Sequence, residues 1–223
     1  MPARTLIVNC KNYPEVLGEG SIRLALAVRR VAEATKVDAV LAPPTPMLGL
    51  VASKTGARVF SQTVAARTGD KTTGAILPQA VKAAGAAGTI LNHSESRKTP
   101  AELSKLVPVL AGMGLEVCLC ARTSQEAARL SKLAPAYVAV EPPELIGSGV
   151  AVSRAKPGLI EKTVSAVRRT GYGGKILCGA GIVSGEDVRA AVKLGTDGVL
   201  VASSVVKAAD WEGKVRELAN SLM

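Results

Sequence analysis

Residues 137–149, Tyr137-Val-Ala-Val-Glu141-Pro-Pro-Glu-Leu-Ile146-Gly147-Ser-Gly149, carry a short apolar run that stops on a carboxylate and enters a loop. The run reads as a strand, and alternation sends Ala139 and Glu141 to one face, so the carboxylate points where the strand points its core residues. Pro142 and Pro143 restrain two φ angles at the loop's start. Gly147 and Gly149 leave its far end free to swing or to bring N–H groups close to a ligand. A strand-end carboxylate before such a loop reads as a catalytic group beneath a lid. Standing alone, it reads more readily as a Glu that merely caps a strand beside a flexible turn.

The same unit recurs outward along the chain. Apolar, β-branched runs lie at Thr5–Cys10, Val37–Leu41, Ala57–Ser61, Thr89–Leu91, Glu116–Cys120, Tyr137–Val140, Lys175–Cys178 and Gly198–Val201. Between and after them come amphipathic or Ala-rich helical stretches: Ile22–Glu33, Pro46–Ser53, Pro78–Ala87, Ala101–Met113, Gln125–Leu133, Leu159–Arg169, Glu186–Leu194 and Val205–Leu222. Three helix starts have the spacing of a capping box, Thr99 with Glu102, Thr123 with Glu126 and Ser184 with Asp187, and Pro100 takes the first helical position. Near-continuously apolar strands alternating with helices predict an α/β fold with a parallel sheet covered on both faces. Eight repeats predict closure into an eight-stranded parallel (β/α)8 barrel, on a chain somewhat shorter than the roughly 250 residues typical of one.

The 223 residues contain no linker-like low-complexity run, so one domain over 1–223 is expected. No apolar stretch approaches the roughly 20 residues of a membrane helix, and Met1–Arg4 leads straight into a strand; a soluble cytoplasmic protein is expected. Cys10, Cys118, Cys120 and Cys178 fall in apolar strand-like runs without zinc or redox spacing, and read as small buried residues. Lys and Arg outnumber Asp and Glu by 28 to 18, a formal charge of +10 that calls for a polyanionic partner or an anionic small substrate. The basic residues are spread along helices and aromatics are 2% of the composition, which argues against nucleic acid.

In an eight-fold barrel the loops after the strands carry the site. Strand 1 ends Asn9-Cys10-Lys11, and period two puts Asn9 and Lys11 on one side at the barrel mouth, where a mobile cation suits an anionic substrate. Strand 4 ends Asn92-His93-Ser94-Glu95 and carries the only histidine, placed to address a ligand in the mouth. The last two strands end in small residues, Gly179-Ala180-Gly181 and Ala202-Ser203-Ser204. Such residues permit the close backbone approach of a phosphate site, as they also permit a plain tight turn.

Taken together, Asn9-x-Lys11, His93-Ser-Glu95, Val140-Glu141-Pro-Pro through Ile146-Gly147-Ser-Gly149 and the late Gly/Ala/Ser loops resemble the triosephosphate isomerase family over essentially the whole chain, in its short archaeal branch. The resemblance implies a TIM barrel that interconverts glyceraldehyde 3-phosphate and dihydroxyacetone phosphate through an enediolate, without cofactor or metal. It makes Glu141 the base, His93 the electrophile, and Asn9 and Lys11 substrate holders. Ile146, Gly147, Gly181, Ala202 and Ser203 become the phosphate contacts by position. It also implies a homo-oligomer, a tetramer before a dimer, with Thr73 on a subunit-crossing loop over Gln62–Ile76. Two departures from the commonest pattern are Pro143-Glu144 where a Trp is usual and Cys178 in place of a Tyr that latches the lid. The rival readings are another phosphate-binding barrel enzyme, such as an epimerase or aldolase, and a basic RNA-binding scaffold.

Overall fold

A computed structural model of the chain describes residues 3–67, 69, 71–141 and 157–223. Strands β1 (Thr5–Asn9), β2 (Asp38–Ala42), β3 (Phe60–Ser61), β4 (Gly88–Leu91), β5 (Glu116–Ala121), β6 (Tyr137–Val140), β7 (Lys175–Cys178) and β8 (Gly198–Val201) lie where the apolar runs predict them. Every pairing is parallel, in the order β2-β1-β8-β7-β6-β5-β4-β3. A single bridge, Leu41 to Val59, joins the two ends of that sheet, with the Leu41 N–H donating to the Arg58 carbonyl at 3.0 Å. The result is a (β/α)8 TIM barrel.

The strands are buried along nearly their whole length because both of their faces are used. Ile7, Val40, Phe60, Cys118, Ala139 and Leu177 point inward and pack a small central core. Leu6, Val8, Leu41, Leu119, Val138 and Val199 point outward into a larger layer shared with the helices. Gly88 is what lets the Phe60 ring into the barrel, since a Cβ there would lie 2.7 Å from its Cε1 and run into the Glu116 carbonyl. All four cysteines are buried and free, as their apolar setting predicts.

Among the described residues the helices are α1 (Glu19–Thr35), α2 (Leu48–Thr55), α3 (Pro78–Ala83), α4 (Pro100–Gly112), α5 (Ser124–Ser131), α6 (Pro157–Arg168), α7 (Gly185–Lys193), α8 (Ser203–Val206) and α9 (Trp211–Asn220). Two expectations need correction. The single helix expected over Val205–Leu222 is split into α8 and α9: the Asp210 side chain accepts the Gly213 N–H at 3.0 Å and starts a new helix, while the Trp211 indole donates to the Val206 carbonyl at 2.9 Å and stops the old one. The capping boxes at Thr99/Glu102 and Ser184/Asp187 form, but the one at Thr123/Glu126 forms only in half. Thr123 accepts the Glu126 N–H, whereas the Glu126 carboxylate is drawn away to Arg97 and the Arg122 N–H.

The end of the barrel formed by the strand starts is closed by charge rather than by apolar packing. Arg58 pairs with Asp38 and Glu116; the Tyr137 hydroxyl donates to Glu116 at 2.7 Å; Lys175 donates to Thr5 at 2.7 Å and Asp38 at 3.2 Å. Paired and hydrogen-bonded in this way, these partly buried polar groups are satisfied. The strand ends are left as the open face.

Candidate active site

Three of the residues singled out from the sequence converge at those strand ends. Glu141 follows β6 directly, and its N–H donates to the Ala121 carbonyl at 2.7 Å, which prolongs the ladder by one residue and keeps the side chain on the inward face predicted by alternation. Glu141 is 3% exposed, and its Oε1 lies 3.5 Å from His93 Nε2. Its other oxygen is buried without a hydrogen-bond partner. Burial pushes the Glu141 carboxyl up to about 7, against the opposing pull of the Cys120 thiol and the Lys11 charge. A carboxylate poised near neutrality in this way is suited to act as a base.

His93 reaches the same spot through a break in alternation. Asn92 adopts a left-handed φ of 63°, which turns the chain after β4. Its side chain is braced by donation to the Cys120 carbonyl at 2.9 Å and acceptance from the Lys98 N–H at 3.1 Å. Arg97, paired with Glu126, donates to the Asn92 carbonyl at 3.0 Å. In the turn that follows, the Glu95 N–H donates to His93 Nδ1 at 3.2 Å. That bond requires Nδ1 to be an acceptor and leaves Nε2 to carry the proton, facing Glu141. The segment is a hydrogen-bonded turn, with the Ser96 N–H on the His93 carbonyl at 2.9 Å.

Burial lowers the His93 pKa, with Lys11 acting in the same direction and Glu95 against it. The imidazole is therefore expected to stay neutral at pH 7. NMR titration of this single histidine checks it: the midpoint falls below the ordinary 6.5 or so, and a midpoint above that value rules out a neutral ring.

Lys11 arrives by a turn that alternation does not describe. It has a left-handed φ of 47°, and its N–H donates to Asn9 Oδ1 at 3.0 Å. Gln62 Nε2 donates to the Lys11 carbonyl at 2.8 Å and to that of Ala42 at 3.1 Å, so Asn9 and Gln62 together set the turn. Lys11 Nζ rests 2.6 Å from Glu95. Glu95 stands in the His93-Ser-Glu95 motif with no role assigned to it there, and Gln62 carries no motif of its own. Both act only through residues that meet in space.

One cavity is lined by Asn9, Lys11, His93 and Glu141 together with Gly179–Val183 and Leu200–Ser204, so Gly181, Ala202 and Ser203 face the same space. Ile146 and Gly147 lie outside the described residues. Thr73 is exposed, far along the sequence from the strand ends, on a loop pinned at its base by the Ala65 N–H to the Ile76 carbonyl at 2.7 Å. Among the described residues no group of three or more His, Cys, Asp or Glu side chains is disposed to hold a metal ion.

The model of the triosephosphate isomerase family matches residues 4–220. The chain belongs to the triosephosphate isomerase family. It is 42% identical to the triosephosphate isomerase of Caldivirga maquilingensis over 223 residues, which is all of this chain and 99% of the relative. It is 44% identical to that of Methanoculleus marisnigri over the full length of both, and 43% identical to that of Cenarchaeum symbiosum over 97% of each. Against this family, the buried strand-end Glu141 and its neighbour His93 are the arrangement to be explained chemically.

Proposed function

We infer that Glu141, His93, Lys11 and Asn9 carry the triosephosphate isomerase reaction of this chain, the interconversion of glyceraldehyde 3-phosphate and dihydroxyacetone phosphate. The observation that supports this most directly is the 3.5 Å approach of Glu141 Oε1 to His93 Nε2 at one cavity wall. The pairing of a Glu base with a neutral His electrophile is the family's own chemistry, carried over here.

The reaction removes a proton from carbon next to a carbonyl and returns it to the neighbouring carbon. Glu141 takes the proton; His93 Nε2–H and the Lys11 ammonium face the oxygens where the enediolate charge develops. The same carboxyl then gives the proton back. Atoms balance without a metal or cofactor. Gly181, Ala202 and Ser203 would meet the phosphate, together with Ile146 and Gly147, whose contacts rest on the family resemblance alone.

The proposed protein is one catalytic barrel domain over residues 1–223 that works in the cytoplasm, in glycolysis and gluconeogenesis, as a homo-oligomer, with a tetramer preferred to a dimer. No helix among the described residues is long and apolar enough to cross a membrane. The exposed Thr73 loop, tied at its base by the Ala65 N–H to the Ile76 carbonyl, is the segment assigned to reach a partner subunit's Asn9 and Lys11 region. A coupled assay of triose phosphate interconversion on protein separated by sedimentation tests both parts. Activity is expected in an oligomer fraction. A fully active monomer overturns the role of Thr73, and absence of activity in every fraction overturns the function.

A further inference from the structure

Buried polar atoms without partners are rare, because each forgoes the hydrogen bonds it had in water. Four side-chain atoms are of this kind among the described residues: Thr63 Oγ1, Glu141 Oε2, Thr196 Oγ1 and Ser204 Oγ. Two of the four belong to residues that line one cavity, Glu141 and Ser204. For Glu141 the absent partner is the substrate, on the reading above.

We propose that the Ser204 hydroxyl is a further substrate-binding group, donating a hydrogen bond to the phosphate of the bound triose. The inference rests on the isomerase reading and adds a hydroxyl to the part of the lining formed after β7 and β8. Two observations decide which part of the substrate it meets. Glu141 and His93 stand together at the ends of β6 and β4, 3.5 Å apart, so the reacting carbons and their oxygens belong beside them. Ser204 follows β8, which β7 separates from β6 in the barrel, and lines the cavity together with Gly181–Val183 and Ala202–Ser203.

Charge points the same way. Among the described residues lining the cavity, Lys11 is the only cation, and Glu95 already holds its ammonium at 2.6 Å. A phosphate monoester carries close to two negative charges near neutrality. One shared cation leaves much of that charge to be met by neutral donors, and a hydroxyl bonded to a charged group makes one of the stronger hydrogen bonds. A serine hydroxyl also turns between staggered wells about one bond, so it can change from shielded to donating without moving the backbone.

The test is Ser204→Ala, with Ser204→Gly as a second hydroxyl-free variant and Thr196→Val as a control at the opposite end of the barrel. For either Ser204 variant, kcat/KM for glyceraldehyde 3-phosphate is expected to fall about tenfold, and the inhibition constant of inorganic phosphate to rise by a similar factor. Turnover of unphosphorylated glyceraldehyde should shift less than twofold. Melting temperature should hold or rise, since the change removes an unpartnered buried hydroxyl. The control loses an equally unpartnered hydroxyl and should leave phosphate inhibition alone. Equal losses on both substrates, or a matching loss in the control, overturn the proposal in favour of a packing role; no change in phosphate inhibition overturns it outright. Inactive wild-type protein in the same assay refutes the underlying isomerase reading instead.

Discussion

Glu141→Gln is expected to lower turnover by roughly 10²–10⁴-fold and, at the same time, to stabilise the folded protein at pH 8. The catalytic loss follows from the loss of basicity in a side chain of unchanged shape. Phosphate binding should survive, because Lys11, Ser204 and the loop backbone are untouched, and removing a negative charge can only help an anionic ligand. The stability gain follows from linkage. Burial holds the Glu141 carboxyl at about 7 in the folded protein, above its ordinary 4.5. Between those values the folded state binds more protons than the unfolded one, so stability falls as pH rises from 4.5 to 7 and is flat above. The difference corresponds to about 3 kcal/mol at pH 8, an amount that a neutral Gln does not forfeit. Melting curves of both proteins at pH 4.5 and pH 8 check this: the variant should gain at pH 8 and gain little at pH 4.5. The same carboxyl sets the pH dependence of the free enzyme, with kcat/KM of the wild type falling as pH drops through about 7. A variant that keeps its turnover moves the base elsewhere; one that gains equally at both pH values removes burial as the cause of the raised pKa.

The architecture was legible in the sequence because parallel strands covered on both faces must be apolar along their whole length, and that signal needs no knowledge of the partner strand. Strand starts and ends therefore agree to within about one residue except at β3, which is Phe60–Ser61 where Ala57–Ser61 was expected, with Val59 making only a bridge to Leu41. Glu141 was legible for the same reason, since one residue of alternation beyond Val140 is enough to aim it. Lys11 and His93 were found by type and position while their geometry was not, because left-handed turns at Lys11 and Asn92 end the alternation before either side chain is placed. The Thr123/Glu126 box was legible as a pattern but not in its outcome: Arg97, 29 residues away, competes for the carboxylate. The charged closure of the far barrel end is spread over five strands, from Thr5 to Lys175, and no local spacing records it. Gly179 was legible only as part of Gly179-Ala180-Gly181, which reads as an anion site or a tight turn; no spacing records that its missing side chain leaves the space taken by Glu141.

Gly179→Ala is therefore expected to act as a base mutation without touching the base. The Gly179 N–H donates to the Val140 carbonyl at 2.9 Å, which locks its backbone into the sheet beside the start of Glu141. A Cβ at Gly179 would lie 2.5 Å from Glu141 Cγ, 3.3 Å from its Cδ and 3.2 Å from the Val140 carbonyl oxygen. Real Cβ atoms do not approach carbon at 2.5 Å, so one of the two must move. The methyl is fixed to paired backbone, whereas Glu141 can rotate about χ1 and χ2, and so the carboxylate is the group displaced. A shift of about 1 Å in a reacting group is worth on the order of a hundredfold in rate. The expected result is a fall of about that size in kcat, with KM and phosphate inhibition changed far less, because the lost interaction belongs to the transition state. A displaced Glu141 also leaves its neighbour His93, 3.5 Å away, so the His93 resonances in the free protein should shift. The paired variant Ala180→Gly adds no atoms beside Glu141 and should keep the His93 spectrum of the wild type. If Gly179→Ala retains turnover within about threefold, Glu141 has room that the packing denies it, and the placement of the base against β7 is wrong.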